Sequence, residues 1–198
     1  MNHGNSGLAH GTNGAPQLTL ENSDAIFVAS ANESKLALEH IIKTLSERTK
    51  GLDLREHPSV HRQLGKAKLK TLEKKVKARR ATKKEYKEYK WNVRFRERRK
   101  KGIKRFWRQE RERLLRGERG TRNWSKEQRD AIIRGETPKF KGLYIIGHHS
   151  YSVVKYPHLA DKGEIIYPAT TREHFRGWHG GNYKKSTAGK PIVLIIDF

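Results

Sequence analysis

The feature that most constrains this chain is a long basic segment from Lys66 to Arg119. It contains 25 lysine or arginine residues against seven glutamates, and so carries +18 of the net charge of +23 of the 198-residue chain. Ion pairs inside the segment cannot neutralise this excess, which must face water and counterions or a polyanion. Nucleic acid is the commonest such partner. Acidic membrane surfaces, acidic proteins and a simple solvated spacer are the alternatives.

The overall composition limits the size of any core. Apolar residues make up 34% of the chain and charged residues 33%, with a mean hydropathy of −0.93. A chain this polar does not form one continuous core along its whole length. We therefore expect a disordered leader at residues 1–31, a basic helical region at 32–120 and a compact domain at 121–198. The absence of cysteine excludes disulfides and thiolate metal sites.

The N-terminal sequence and the hydropathy bear on location. The first residues lack a charged stretch followed by an apolar one, so we expect no signal peptide. No apolar run approaches the roughly 18 residues of a membrane-spanning helix. We therefore expect no membrane insertion and a protein that is cytoplasmic as made.

Apolar residues recur at helical spacing in the basic helical region. One helix is predicted to begin near Asn32 and to stop at Gly51. The basic segment predicts one or two further helices with a narrow apolar seam, which lapses around residues 79–84. Phe106 and Trp107, with Ile103, are expected to pack on the C-terminal domain.

The C-terminal region predicts a helix followed by strand, loop, strand, helix and a last strand, which is an α+β arrangement. Capping boxes, in which a hydroxyl and a residue three positions later cap a helix, are predicted at Ser125 and at Thr170. The predicted strands are 143–146, 165–167 and 190–198.

Two adjacent histidines, His148 and His149, end the first of these strands. Neighbouring strand side chains point to opposite sides, so one imidazole can bind a metal while the other faces a substrate. A helix packed across the strands would bring His174 to the same metal. Sites with an open coordination position use three protein ligands, and neutral imidazoles suit late first-row divalent metals. The chemistry that fits is phosphodiester hydrolysis, with the free histidine as general base.

The stretches GLYIIGHHSYSV, IIYPATTREHFRGWHGG and TAGKP resemble the HNH nuclease superfamily with its ββα-metal core. More narrowly, they resemble the GHH-type nuclease domains of bacterial polymorphic toxins, and distantly the DNase colicins. The resemblance covers about residues 123–191. It implies an α+β fold in which a ββα-metal core follows the basic helical region. It also implies a metal-dependent endonuclease of low sequence specificity, acting on DNA more than on RNA.

The resemblance also implies residue roles and partners. His148, His174 and His179 would bind one divalent ion (Zn²⁺, Mg²⁺ or Ni²⁺), and His149 would be the general base. Arg176, next to His174 on the predicted helix, is the candidate phosphate contact, with a solvated surface role as the alternative. The family further implies an antibacterial toxin that is delivered into target cells and neutralised by an acidic immunity protein.

Two departures from the superfamily pattern stand out. No asparagine lies at residues 164–166, so the backbone or another residue must brace the general base. His174 and His179 are five residues apart, whereas the colicin histidines are four apart. Five residues on a regular helix turn the second side chain off the first face. His179 can then be a ligand only if the helix ends near Gly177, and Asn182 or a water is the alternative third ligand.

Two other functions remain open at this point. The first is a non-catalytic basic nucleic-acid-binding protein, in which the histidines hold a structural metal or none. The second is an RNase on the same scaffold.

Overall fold

The computed structural model describes residues 20–198, with side chains from residue 31 onward. Its α-helices are α1 (Leu20–Thr49), α2 (Lys66–Lys77), α3 (Lys83–Leu115) and α4 (Lys126–Ile133). Its strands are β1 (Lys139–Phe140), β2 (Leu143–Tyr144), β3 (Ile146–His149) and β4 (Ile166–Ala169). A 3₁₀ helix (Pro157–Leu159) and a π-helix (Glu173–Trp178) are also present. The fold is thus mixed and mainly helical, which agrees with the predicted α+β class.

The strands form two small antiparallel sheets, one of β1 with β2 and the other of β3 with β4. In the second sheet His148 lies opposite Tyr167 and His149 opposite Ile166. The π-helix follows β4 in the chain. Residues 37–198 form one compact unit. In the described part of the chain, no helix is both long enough and apolar enough to cross a membrane.

The first helix begins earlier than predicted. Of the predicted disordered leader at residues 1–31, residues 1–19 lie outside the described part, whereas residues 20–31 belong to α1. This stretch contains neither glycine nor proline, so no residue in it interrupts a helix. The predicted stop is confirmed, because α1 ends at Thr49 and Gly51 follows with φ of 85°.

The last turns of α1 pack on β4. Ile41 and Leu45 are buried against Tyr167 and other residues of the same cluster. The Arg48 guanidinium donates to the carbonyl oxygens of Ile166 at 2.8 Å and Gly163 at 2.6 Å. Burial lowers the pKa of Arg48 to about 10. This arginine therefore ties the end of α1 to the sheet that carries the histidine pair.

The basic segment forms two helices, α2 and α3, separated at the predicted lapse of the apolar seam. α3 begins with a capping box in which Thr82 accepts from Glu85 N and Glu85 accepts from Thr82 N. It has 33 residues and is therefore about 50 Å long. Phe106 is fully buried against Ile165 and Ile166, as expected for a contact with the C-terminal domain. α3 is thus one wall of the core as well as a basic helix.

Two glycines let the backbones around the histidine pair approach closely. A Cβ on Gly147 would lie 2.9 Å from Ile166 Cγ2 and 3.1 Å from Ile103 Cγ2. A Cβ on Gly102, in α3, would lie 2.6 Å from the carbonyl oxygen of Ala160. Any side chain at these positions would push α3 away from β3 or from the loop before β4.

The predicted last strand is wrong, since residues 191–198 form no strand. Instead, the backbone N–H groups of Ile192 and Val193 both donate to the Gly177 carbonyl oxygen at 3.0 Å. Asp197 N donates to the Glu173 carboxylate at 2.8 Å. The apolar C-terminal segment finds its hydrogen-bond partners on the π-helix and not on a sheet edge.

Candidate metal centre

β3 places the two adjacent histidines on opposite faces of the sheet. His148 is 5% exposed, and its ring packs on Trp178 with 4.6 Å between ring centroids. His149 is buried on the other side, where Nε2 lies 3.0 Å from the Ala160 carbonyl oxygen. The alternation that separates them is the ordinary one of a strand.

The π-helix brings two further histidines to His148. Its ring centroid lies 4.9 Å from that of His174 and 5.1 Å from that of His179, and the last two are 4.8 Å apart. One nitrogen of each ring lies within 4.8 Å of one nitrogen of the others. His148, His174 and His179, the metal ligands that the resemblance implies, therefore lie close together.

The π-helix accounts for the five-residue spacing. We expected His179 to reach the cluster only if the helix ended near Gly177; the helix ends at Trp178, has the wider turn of a π-helix, and is followed directly by His179 as its C-cap. A π-helix closes i→i+5 hydrogen bonds, so residues five apart stack on the same face. The Asn182 side-chain oxygen, the alternative ligand, accepts from Lys184 N at 3.0 Å.

A buried ion pair fixes the π-helix in place. Arg122 donates to the two carboxylate oxygens of Glu173 at 2.6 and 2.8 Å. Glu173 also accepts from Thr170 N at 2.8 Å, and Thr170 Oγ1 accepts from Glu173 N, which confirms the predicted capping box. Because both charged side chains are about 5% exposed or less, this pair is well sheltered from solvent. The helix that carries His174 is therefore held at its first turn.

The donor set fits a divalent metal. Burial lowers the pKa of His148 well below its ordinary value, and the neighbouring His174 and His179 lower it further. Burial and His179 lower the pKa of His174 to about 4. The His179 Nδ1–H donates to the Lys185 carbonyl oxygen at 2.7 Å, which leaves its Nε2 as the lone-pair nitrogen. Neutral imidazoles with free lone pairs are the form that binds zinc and similar ions.

His149 is held by a backbone carbonyl. The Ala160 oxygen can only accept, so Nε2 carries the hydrogen and Nδ1 is left as the basic nitrogen. Burial lowers the pKa of His149 to about 4, with a smaller effect from the charge of Arg99. A neutral ring in a fixed orientation is the form that a general base requires.

Ionic contacts with α3 brace the loop that carries the Ala160 carbonyl. Arg98 and Arg105 donate to the Asp161 carboxylate at 2.6 and 2.8 Å. Gln109 Nε2 donates to Glu164, at the position where the superfamily asparagine is missing, at 2.8 Å. The sequence did not show which group holds the His149 ring in place of the missing asparagine. In the structure the Ala160 carbonyl contacts the ring, and side chains of α3 hold the loop that carries this carbonyl.

Two arginines are considered with this centre: Arg176, next to the clustered histidines in the sequence, and Arg99, whose charge acts on them. Arg176, the predicted phosphate contact, is exposed on the π-helix. Arg99, on α3, was not singled out from the sequence, yet its charge contributes, after burial, to the lowered pKa values of His148, His149 and His174. It lies one turn before Ile103, which packs on Gly147. Among 25 basic residues in one segment, no sequence signal distinguishes it.

Comparison with protein families identifies the segment that contains the histidine pair. Residues 89–170 match the family Tox-GHH, described as a GHH signature containing HNH/Endo VII superfamily nuclease toxin. The chain is therefore similar to this nuclease toxin family over 82 of its 198 residues. The letters GHH are Gly147, His148 and His149, whose packing is described above. Comparisons with curated proteins and with solved structures gave no match.

The matched range has two structural consequences. It begins within α3, so much of this basic helix lies in the matched range, whereas the resemblance noted in the sequence covers about residues 123–191. It ends at Thr170, just before the helical turn that carries His174 and is followed by His179. A nuclease toxin acts on nucleic acid, which agrees with the expected substrate class.

Proposed function

We propose that this chain contains a nuclease domain of the Tox-GHH kind, a metal-dependent endonuclease that hydrolyses DNA with little sequence preference. In this proposal β3, β4 and the π-helix are its ββα-metal core. The observation that carries the proposal is the convergence of His148, His174 and His179 on one face of the sheet, with His149 fixed on the other side of the same strand end.

The proposed metal ligands are His148, His174 and His179. Three imidazole nitrogens favour a late first-row ion such as Zn²⁺ or Ni²⁺ over Mg²⁺, which prefers oxygen ligands. The chemistry that a divalent ion supplies there is neutralisation of charge on the phosphate and on the leaving oxygen.

His149 is the proposed general base. Its Nδ1 takes a proton from the attacking water, while Nε2–H stays on the Ala160 carbonyl oxygen and keeps the ring oriented. The positive charge that the ring gains is then shared with this hydrogen bond. A base held in this way needs no asparagine to position it.

Two arginines are proposed to bind the scissile phosphate. Arg176 would approach it from the π-helix, where it lies between His174 and His179 in the sequence. Arg99 would approach it from α3, and its electrostatic influence on the histidines supports this role. Guanidinium groups bind phosphate oxygens in pairs, which both orients the phosphate and stabilises its charge.

The basic helices are proposed to bind the nucleic-acid backbone. The first half of α3 carries exposed cationic side chains at Lys83, Lys84, Lys87, Lys90 and Arg94. Contacts to phosphates do not depend on base sequence, and they supply most of the affinity of non-specific binding. This face suits a nuclease that cuts with little sequence preference.

The biological context follows from the family. We propose that the domain is an antibacterial toxin that reaches its substrate in the cytoplasm of a target cell. A dedicated immunity protein that neutralises it would be acidic, because the surface it must cover is strongly basic.

A cleavage panel tests the function. The purified chain is incubated with supercoiled DNA or with structured RNA, each with Zn²⁺, Ni²⁺, Mg²⁺ or EDTA, beside the His149→Ala variant and a His40→Ala control. His40 is exposed on α1 and is not one of the proposed ligands. Divalent-dependent nicking of DNA that only His149→Ala loses supports the proposal. Cleavage of RNA alone would show that the domain is an RNase. Binding without cleavage under every condition would show that the domain is not a nuclease.

A further inference from the structure

The segment after α1 packs on the loop between β3 and β4. His57 N donates to the Lys155 carbonyl oxygen at 2.9 Å, and Lys155 pairs with Glu56 at 2.9 Å. His158 Nε2 donates to the backbone oxygen of Asp53 at 2.8 Å. Two parts of the chain that are about a hundred residues apart therefore meet here.

Three side chains with metal-binding atoms converge at this contact. Asp53 Oδ2 lies 2.9 Å from His57 Nε2, and the rings of His57 and His158 are 4.6 Å apart between centroids. One potential ligand atom from each of the three residues lies within 4.8 Å of the others. Hydrogen bonds from Arg55 and then His57 hold the pKa of Asp53 well below its usual range, so its carboxylate is charged.

His158 has a lone pair without a partner. Its Nε2 must carry the hydrogen that is donated to the Asp53 carbonyl, so Nδ1 is the unprotonated nitrogen. Nδ1 is buried and is one of the few buried side-chain atoms in the described residues that have no hydrogen-bond partner. Buried polar atoms are nearly always paired, and an ion is one of the partners that can satisfy such an atom.

We propose that Asp53, His57 and His158 form a second divalent metal site, separate from the His148 centre. Two imidazoles and one carboxylate are a ligand set for Zn²⁺ and neighbouring first-row ions. Arg55 competes for the site, since its guanidinium donates to both carboxylate oxygens of Asp53 at 2.9 and 2.8 Å. The proposal does not depend on the nuclease function.

The position of the second site gives it a structural role. His158 lies two residues before Ala160, whose carbonyl orients His149. Arg98 donates to the His158 carbonyl oxygen at 2.7 Å and to Asp161. An ion at this site would fasten residues 53–57 to the loop that positions His149.

The test counts bound ions on the full chain. Zn²⁺ bound after equilibrium dialysis is measured for the wild type, His148→Ala, His57→Ala and Asp53→Asn, with His40→Ala as the control. We expect His57→Ala and Asp53→Asn each to bind one ion fewer than the wild type and the control, because they lose the ion of the second site. His148→Ala should also bind one ion fewer, because it loses the ion of the His148 centre. Because His57 and Asp53 are partly exposed, these variants should fold. If His57→Ala and Asp53→Asn bind as many ions as the wild type, the second site does not exist.

Two further measurements separate a site from adventitious binding. Zn²⁺ should raise the melting temperature of His148→Ala but not that of the His148→Ala/His57→Ala double variant. Arg55→Gln should bind the second ion more tightly, by up to about fivefold, because it removes an exposed competing ion pair. The proposal would be contradicted if Zn²⁺ raised the melting temperature of His148→Ala and of the double variant equally. It would also be contradicted if Arg55→Gln bound the second ion no more tightly than the wild type.

Discussion

His174 and His179 are five residues apart in the sequence, yet their imidazole rings lie 4.8 Å apart between centroids. The π-helix makes this possible, since its wider turn stacks residue i+5 on residue i. Glu173, held by Arg122, fixes the start of this helix, and the C-terminal segment occupies the Gly177 carbonyl near its end. The geometry of the centre thus depends on interactions well outside the histidine set.

Replacement of His149 should separate chemistry from metal binding. His149→Ala removes the proposed base but none of the three clustered histidines, so cleavage should fall by about 10²- to 10⁴-fold while ion binding at the His148 centre persists. Plasmid nicking and a metal titration on the same preparation measure both. Near wild-type cleavage would show that another group is the base.

The two arginines should differ in importance. Arg99→Ala should lower the cleavage rate by about 10- to 100-fold, because it removes charged hydrogen bonds to the phosphate next to the buried histidines. Arg176→Ala should have a smaller effect, since it is the charge of Arg99 that acts on His148, His149 and His174. Single-turnover rates at saturating protein provide the comparison. A larger loss for Arg176→Ala would reverse the assignment.

The buried ion pair should support both stability and metal affinity. Glu173→Gln leaves Arg122 buried without its charged partner, which should reduce the free energy of unfolding by about 3 kcal/mol or more. It should also weaken metal binding, because the helix that carries His174 is no longer held at its first turn. Urea denaturation and metal titration report the two effects. Glu136→Gln, which breaks the exposed pair with Arg134, is the matched control and should change neither.

Gly147 should tolerate no side chain. Gly147→Ala places a Cβ 2.9 Å from Ile166 and 3.1 Å from Ile103, which should lower the free energy of unfolding by about 1–3 kcal/mol. In the background of Ile103→Ala the same change should cost less, because the neighbouring side chain is gone. Urea unfolding of the four proteins in this cycle gives the coupling. Purely additive effects would mean that the glycine has another role.

The exposed cations of α3 should govern salt dependence. A triple variant, Lys87→Gln, Lys90→Gln and Arg94→Gln, should bind duplex DNA more weakly at every sequence. The slope of log K against log salt should fall by about 0.9 for each phosphate that the variant no longer neutralises. Fluorescence anisotropy at several salt concentrations measures it. Lys126→Gln, on α4 and paired with Asp130, is the control and should keep the wild-type slope.

The sequence was informative where local chemistry decides structure. The capping boxes at Ser125 and Thr170, the break between α2 and α3 and the burial of Phe106 all follow from hydrogen bonds or apolar spacing within a few residues. The clustering of His148 with His174 was predicted from a strand pair followed by a helix, and the resemblance to the superfamily motif added His179.

The rest depends on tertiary interactions that no local pattern records. Residues 191–198 have a strand-like composition, but their N–H groups pair with Gly177 and Glu173 because the π-helix offers acceptors there. The first turn of the π-helix is held by the ion pair between Glu173 and Arg122. The contact of the Ala160 carbonyl with His149 could not be predicted from the sequence, since every residue has a backbone carbonyl. In each case the deciding partner is distant in the sequence.

α3 runs without interruption from its exposed cations to the wall of the histidine centre. Lys87 precedes Ile103 by sixteen residues, or about 24 Å of helix. This rise corresponds to about seven base pairs of duplex. Under the proposed function, α3 would join the phosphate-binding cations to the histidine centre as one continuous helix. The scissile bond would then lie at a fixed distance from the bound phosphates, whatever bases lie between.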